Sequence, residues 1–166
     1  MTIDVRQHLR TMIAQWAAVG QPALIERFVL HGGAAYEGAA LPAKYERGEP
    51  KQCFQNATKL VWSNGRTLTY CEGFVIDPDI GFPIQHAWAI TKRGVVIDNT
   101  LRTPEANAYF GVPFTRHVLN RELRASGVYG LLDTGRGPNV ALIERIAPGV
   151  ISEARAVAPV LKRKRR

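Results

Sequence analysis

Ile84-Gln85-His86-Ala87-Trp88-Ala89-Ile90-Thr91, a turn at Lys92-Arg93-Gly94, and Val95-Val96-Ile97-Asp98-Asn99 read together as a β-hairpin. Both arms are rich in strand formers, and the glycine supplies the tight turn between them. Alternation puts His86, Trp88 and Ile90 on one face of the first arm. Counting outward from the turn pairs Ala87 with Asp98 or Asn99. His86 is therefore opposite or diagonal to one of those two side chains, within reach of a cross-strand hydrogen bond. Asp98 is the expected partner and Asn99 the alternative.

Upstream of the hairpin, Cys53 to Trp62 reads as a helix. Phe54, Ala57, Leu60 and Val61 share one face, and Asn64-Gly65 stops the run. Thr67 to Ile76 alternates as a strand, and Asp77 to Pro83, with two prolines and a glycine, is a loop. Residues 4–19 are expected to be helical, with Asp4 as cap and Gln7 completing a capping box. Pro22 opens a second helix, Ala23 to Leu30, closed by Gly32-Gly33. Residues 32–52 carry glycines and prolines with little periodicity; they are expected to form a wall of a cleft beside Cys53. Downstream, the expectations are a short helix from Pro104 to Tyr109, a strand from Phe114 to Leu119, and helices over 120–126 and 139–147. Helices first, then a helix followed by antiparallel strands, give an α+β class. Residues 1–161 are expected to form one domain, a length suited to a single core.

Cys53, His86 and Asp98 fall in an order that suits covalent catalysis. A cysteine is nucleophilic as its thiolate, and an ordinary thiol is mostly protonated at neutral pH. Two devices can lower its pKa here: the positive end of the helix that Cys53 opens, and an imidazolium beside it. The imidazole in turn needs a polar group to fix its tautomer, which Asp98 supplies. The oxyanion that forms on attack needs donors. The candidates are the Cys53 amide, the Gln52 side chain, and Tyr36 or Tyr45 from the preceding loop. Trp88 either packs behind the histidine or walls the cleft. Glu72 points to the cleft or to solvent, and Cys71, in mid-strand, reads as buried structure.

The pattern of a cysteine opening a helix, an intervening strand with Tyr70 to Phe74, His86-Ala87-Trp88 on the next strand and Asp98-Asn99-Thr100 at the end of the hairpin resembles the papain-like cysteine enzymes, most closely their transglutaminase-like branch. It covers residues 50–101, about a third of the chain. The resemblance implies a cysteine-bearing helix packed on an antiparallel sheet and acyl transfer through a Cys53 thioester. Its outcome is hydrolysis of an amide or transfer to an amine, as in a peptidase, amidase, deamidase or transglutaminase. The implied partner is a protein, peptide or small amide substrate, with no cofactor. Asn99 stands where the family frequently has proline. The family's oxyanion glutamine lies several residues before the cysteine, so Gln52 is not at that spacing.

The composition, 46% apolar and 22% charged, is that of a globular protein. No apolar run approaches the ~20 residues that cross a bilayer. The N-terminus lacks the basic-then-apolar layout of a secretory signal, so the expected location is cytoplasmic. Both cysteines are then expected to be thiols. Of the net charge of +8, five positive charges belong to Lys162-Arg163-Lys164-Arg165-Arg166, which leaves +3 for the rest. That tail is either a solvated, disordered end or a contact for nucleic acid or an acidic surface, and it has no aromatic residues on which bases would stack. Two rivals to the enzyme are a non-catalytic binding or inhibitory protein on the same fold, and a zinc site built from Cys53, Cys71, His86 and Asp98. No Cys-x-x-Cys or His-x-x-x-His spacing supports the zinc site.

Overall fold

The computed structural model describes residues 3–157; the basic tail at 162–166 lies outside the described residues. Among the described residues, six α-helices and five strands form an α+β arrangement. Helix α1 (Val5–Ala18) starts where Asp4 accepts a hydrogen bond from the Gln7 amide. Helix α2 (Leu24–Gly32) begins one residue later than expected. Ala23 takes a left-handed conformation, φ 46° and ψ 49°, and serves as its N-cap. Strand β1 (Ala34–Glu37) emerges from the stretch that showed no periodicity. Helix α3 (Cys53–Asn64), β2 (Leu68–Ile76) and β3 (Ile84–Thr91) lie where the pattern put them, apart from small differences at their ends.

The second half of the chain differs from expectation. Pro104–Ala106 is one 3-10 turn, and β5 (Ala108–Phe114) follows it. The strand expected over 114–119 is the start of α4 (Arg116–Ser126). The Thr115 hydroxyl accepts from the Val118 amide and so turns a β-branched run into a helix start. Helices α5 (Val140–Ile146) and α6 (Pro148–Val157) close the described chain. Within the hairpin, β4 is only Val96–Ile97.

All pairings in the sheet are antiparallel and the order is β1-β5-β2-β3-β4. Both faces are covered. Tyr70, Phe74, Ala87, Ala89, Phe110 and Phe114 join the helices in the larger cluster. Cys71, Val75, Trp88, Ile90, Val96 and Tyr109 form a smaller one on the other face. Helix α3 packs on β2 and β3. Its apolar face, Ala57, Leu60 and Val61, is buried in the larger cluster, and this sets Cys53 at the end of the helix near the start of β3. No helix among the described residues is long and apolar enough to cross a membrane.

Candidate active site

Where α1, α4 and α5 each have a side chain capping their first turn, α3 has none. Gln52, at the N-cap position, is exposed, and its carbonyl accepts the Asn56 amide. The first amides of α3 therefore lack the usual capping oxygen, and the half-buried Cys53 sits among them. Lys51, two residues before Cys53, is held at φ 64°, a left-handed conformation unfavourable for a residue with a Cβ. The chain thus enters this helix through strained backbone.

Across from α3, His86 lies on β3 opposite Gly73 of β2, and Gly73 in turn faces Gly111 of β5. With glycine as its cross-strand neighbour, the imidazole has no β2 side chain crowding it. A Cβ on Gly111 would come within 2.6 Å of the Trp88 ring, so that glycine gives the indole its place. Trp88 is buried and lies nearly parallel to the imidazole, centroids 6.2 Å apart at 18°, so of its two expected places it takes the one against the histidine.

His86 and Asp98 are 4% and 1% exposed, and Nε2 lies 2.7 Å from Asp98 Oδ2. The β3–β4 register, Ala89 opposite Ile97 and Ile90 opposite Val96, places Asp98 diagonal to His86 when carried past the end of the ladder. Asp98 Oδ1 accepts the amides of Thr100 and Leu101, which folds the chain back as the strand ends. Burial pushes the Asp98 carboxyl up, but the hydrogen bond and charge of His86 and these two amides hold it below its ordinary value. An ionised carboxylate only accepts hydrogen bonds, so His86 carries a proton on Nε2 and turns Nδ1 toward any other partner.

The other group that acts on the imidazole is Cys53. Burial disfavours imidazolium, yet the hydrogen bond to Asp98, the contact with Cys53 and the charges of both raise the His86 pKa to about 9. The bond to Asp98 is the only directed hydrogen bond of the imidazole among the described residues. The structure thus brings Cys53, His86 and Asp98 together.

The other candidates are placed as follows. Asn99 turns away from the imidazole: its Nδ2 donates to the Glu46 carbonyl, and its own carbonyl accepts the Gly48 amide. Tyr36 lies against the edge of Trp88 and bonds to Cys71, and burial and that thiol push its pKa to about 12. Tyr45 packs on the larger cluster with the Lys44 ammonium over its ring. Tyr36 is thus turned to Cys71 and Tyr45 to the larger cluster. Cys71 is fully buried, and burial pushes its thiol well up despite the hydrogen bond from Tyr36. Both cysteines are free thiols. Among the described residues no three of His, Cys, Asp and Glu are grouped as metal ligands.

Two contributors gave no signal in the sequence. Asn56, one turn after Cys53, exchanges hydrogen bonds with the Glu49 backbone and donates to Thr100 Oγ1 at 3.0 Å. It ties the cysteine helix to the turn that carries Asp98. Arg47 adds to the tie by donating to the carbonyls of Leu101 and Arg102. The second contributor is Tyr109, whose hydroxyl donates to Asp98 Oδ2 at 3.0 Å. Asn56 stood within the helix motif without a role, and Tyr109 in a segment expected to be helical. Glu72 points to neither cleft nor solvent: it is fully buried and accepts the Leu131 and Leu132 amides and the Tyr70 hydroxyl. No protein-family model, no curated protein and no solved structure matches the chain.

Proposed function

We propose that this protein is a cysteine-dependent acyl-transfer enzyme of the papain-like, transglutaminase-like kind, cleaving an amide through a Cys53 thioester. The observation that carries the reading is the buried His86–Asp98 pair beside a cysteine at an uncapped helix N-terminus. A histidine that keeps its proton to about pH 9 provides the imidazolium that stabilises a neighbouring thiolate at neutral pH.

In this mechanism the Cys53 proton passes to His86 Nδ1, and the sulfur attacks the substrate carbonyl carbon. The Cys53 amide, free of a cap, is the foremost donor to the oxyanion. As the oxyanion collapses, the carbon–nitrogen bond breaks and the imidazolium gives its proton to the departing amine. Water, or an acceptor amine, then attacks the thioester with His86 as base, and the Cys53 sulfur leaves. Asp98 holds the imidazole in the Nε2–H tautomer throughout. The substrate is a protein, a peptide or a small amide.

Iodoacetamide labelling at pH 6, read by peptide mass, tests the premise. Cys53 is expected to react at least ~10-fold faster than Cys71, because only Cys53 has an imidazolium beside it. Equal, slow labelling of the two would sink the reading. Intact mass after incubation with activated acyl esters then reports whether a thioester forms on Cys53, and Cys53→Ala abolishes the adduct.

A further inference from the structure

Asp98 Oδ2 receives two donors. One is the His86 Nε2–H at 2.7 Å and the other is the Tyr109 hydroxyl at 3.0 Å, while Oδ1 takes the amides of Thr100 and Leu101. Four donors occupy essentially all the acceptor capacity of a carboxylate. Tyr109 is 1% exposed and fixed by β5, where it pairs with Val75. Its ring packs edge-on against Trp88 at 5.0 Å and tilted against His86 at 6.4 Å. Burial and the charge of Asp98 push the phenol far above its ordinary pKa, so the hydroxyl remains a donor over the whole working range.

We propose that Tyr109 is a positioning residue: by sharing the Asp98 oxygen that accepts from His86, its hydroxyl sets how strongly Asp98 binds the imidazole and how firmly His86 holds its proton. The inference rests on the reading of Cys53, His86 and Asp98 as one reacting set. A neutral donor on Oδ2 draws off part of the charge that would otherwise stabilise the imidazolium. Without it, Asp98 bonds His86 more strongly and the thiolate–imidazolium pair persists to higher pH, where the imidazolium gives up its proton less readily. The charged or titratable groups that bear on this cluster are Asp98 and Glu105, which act on Tyr109, and Cys53, which acts with Asp98 on His86.

The test is NMR titration of 15N-histidine-labelled full-length protein in the Cys53→Ala background, where the thiol no longer couples to the imidazole. Tyr109→Phe keeps the ring and removes the donor, and is expected to raise the His86 pKa by about half a unit to one unit. Replacing Tyr109 with 3,5-difluorotyrosine keeps the shape and strengthens the donor, and is expected to lower the same pKa. A merely structural role moves the two variants alike or moves neither, and either result overturns the proposal. Should the phenylalanine variant fail to fold, the fluorinated protein decides alone, and the absence of a downward shift is the overturning result. If opposite shifts appear while Cys53 labels no faster than Cys71 in the unmodified chain, the coupling stands and the acyl-transfer reading falls. Fast Cys53 labelling without the shifts removes Tyr109 and leaves that reading intact.

Discussion

At the imidazole of His86 two effects oppose each other. Burial favours the neutral ring, whereas Asp98 and Cys53 favour the charged one, and the second effect wins. Asp98 is ionised and hydrogen-bonded to the imidazole at 2.7 Å, which makes it the stronger influence of the two. Asp98→Asn is therefore expected to lower the imidazole pKa further than Cys53→Ala does, as NMR titration of the single variants measures. Asp98→Asn also turns an acceptor-only group into one that can donate to Nε2, which favours the wrong tautomer. Turnover of an activated ester substrate is expected to fall by ~100-fold or more. Since the leaving amine needs the imidazolium proton, amide turnover is expected to decline above about pH 9, the value at which His86 loses that proton. Iodoacetamide alkylation of Cys53 needs no such proton and is expected not to decline there; a parallel loss of both would contradict the assigned role of His86.

Beside the packing of α3 on β2 and β3, short ties join this helix to the hairpin. Asn56 makes three hydrogen bonds from the first turns of α3 to Glu49 and Thr100. Asn56→Ala removes all three of these part-buried hydrogen bonds and is expected to cost about 2–3 kcal/mol in urea unfolding, with slower Cys53 labelling at pH 6. In the sheet, Gly111→Ala drives a Cβ to 2.6 Å from the Trp88 ring and 2.8 Å from the Glu72 carbonyl. Overpacking of this kind is expected to cost about 1–3 kcal/mol, with a changed near-ultraviolet signal from Trp88. The elements that read clearly, α1, α3, β2 and β3, bear their signals locally, in caps, periodic apolar faces and turn glycines. Those that did not, β1 and β5, depend on each other. Strand β5 contains Gly111 and Pro113, residue types that weaken a strand pattern. Proline is tolerated there because β1 pairs only with Ala108–Gly111, which leaves one side of Pro113 without a partner strand.

Across the molecule, the buried Glu72 connects the sheet to the segment before α5 by accepting the Leu131 and Leu132 amides. Burial raises its carboxyl to about 7 against those amides, Tyr70 and Gln85. The folded state thus favours the protonated acid more than the unfolded chain does. This contribution to stability is complete below pH 4.5 and is lost as the pH rises through 7. A shift of this size corresponds to about 3 kcal/mol. Glu72→Gln, which stays neutral, is expected to be at its greatest disadvantage near pH 4.5 and to recover against the native chain by pH 8, as urea midpoints at the two pH values report. An unchanged gap would show that Glu72 titrates alike in the folded and unfolded chains. The sequence by itself determined the α+β class, the helix that Cys53 opens and the hairpin that brings His86 within reach of Asp98 or Asn99, because capping, periodicity and turn register act over a few residues. Only the tertiary structure decided that Asp98 rather than Asn99 holds the imidazole, that Tyr109 shares its carboxylate, that Asn56 ties the helix to the turn and that Glu72 is buried. Those outcomes depend on contacts between segments distant in the chain, which no local pattern encodes.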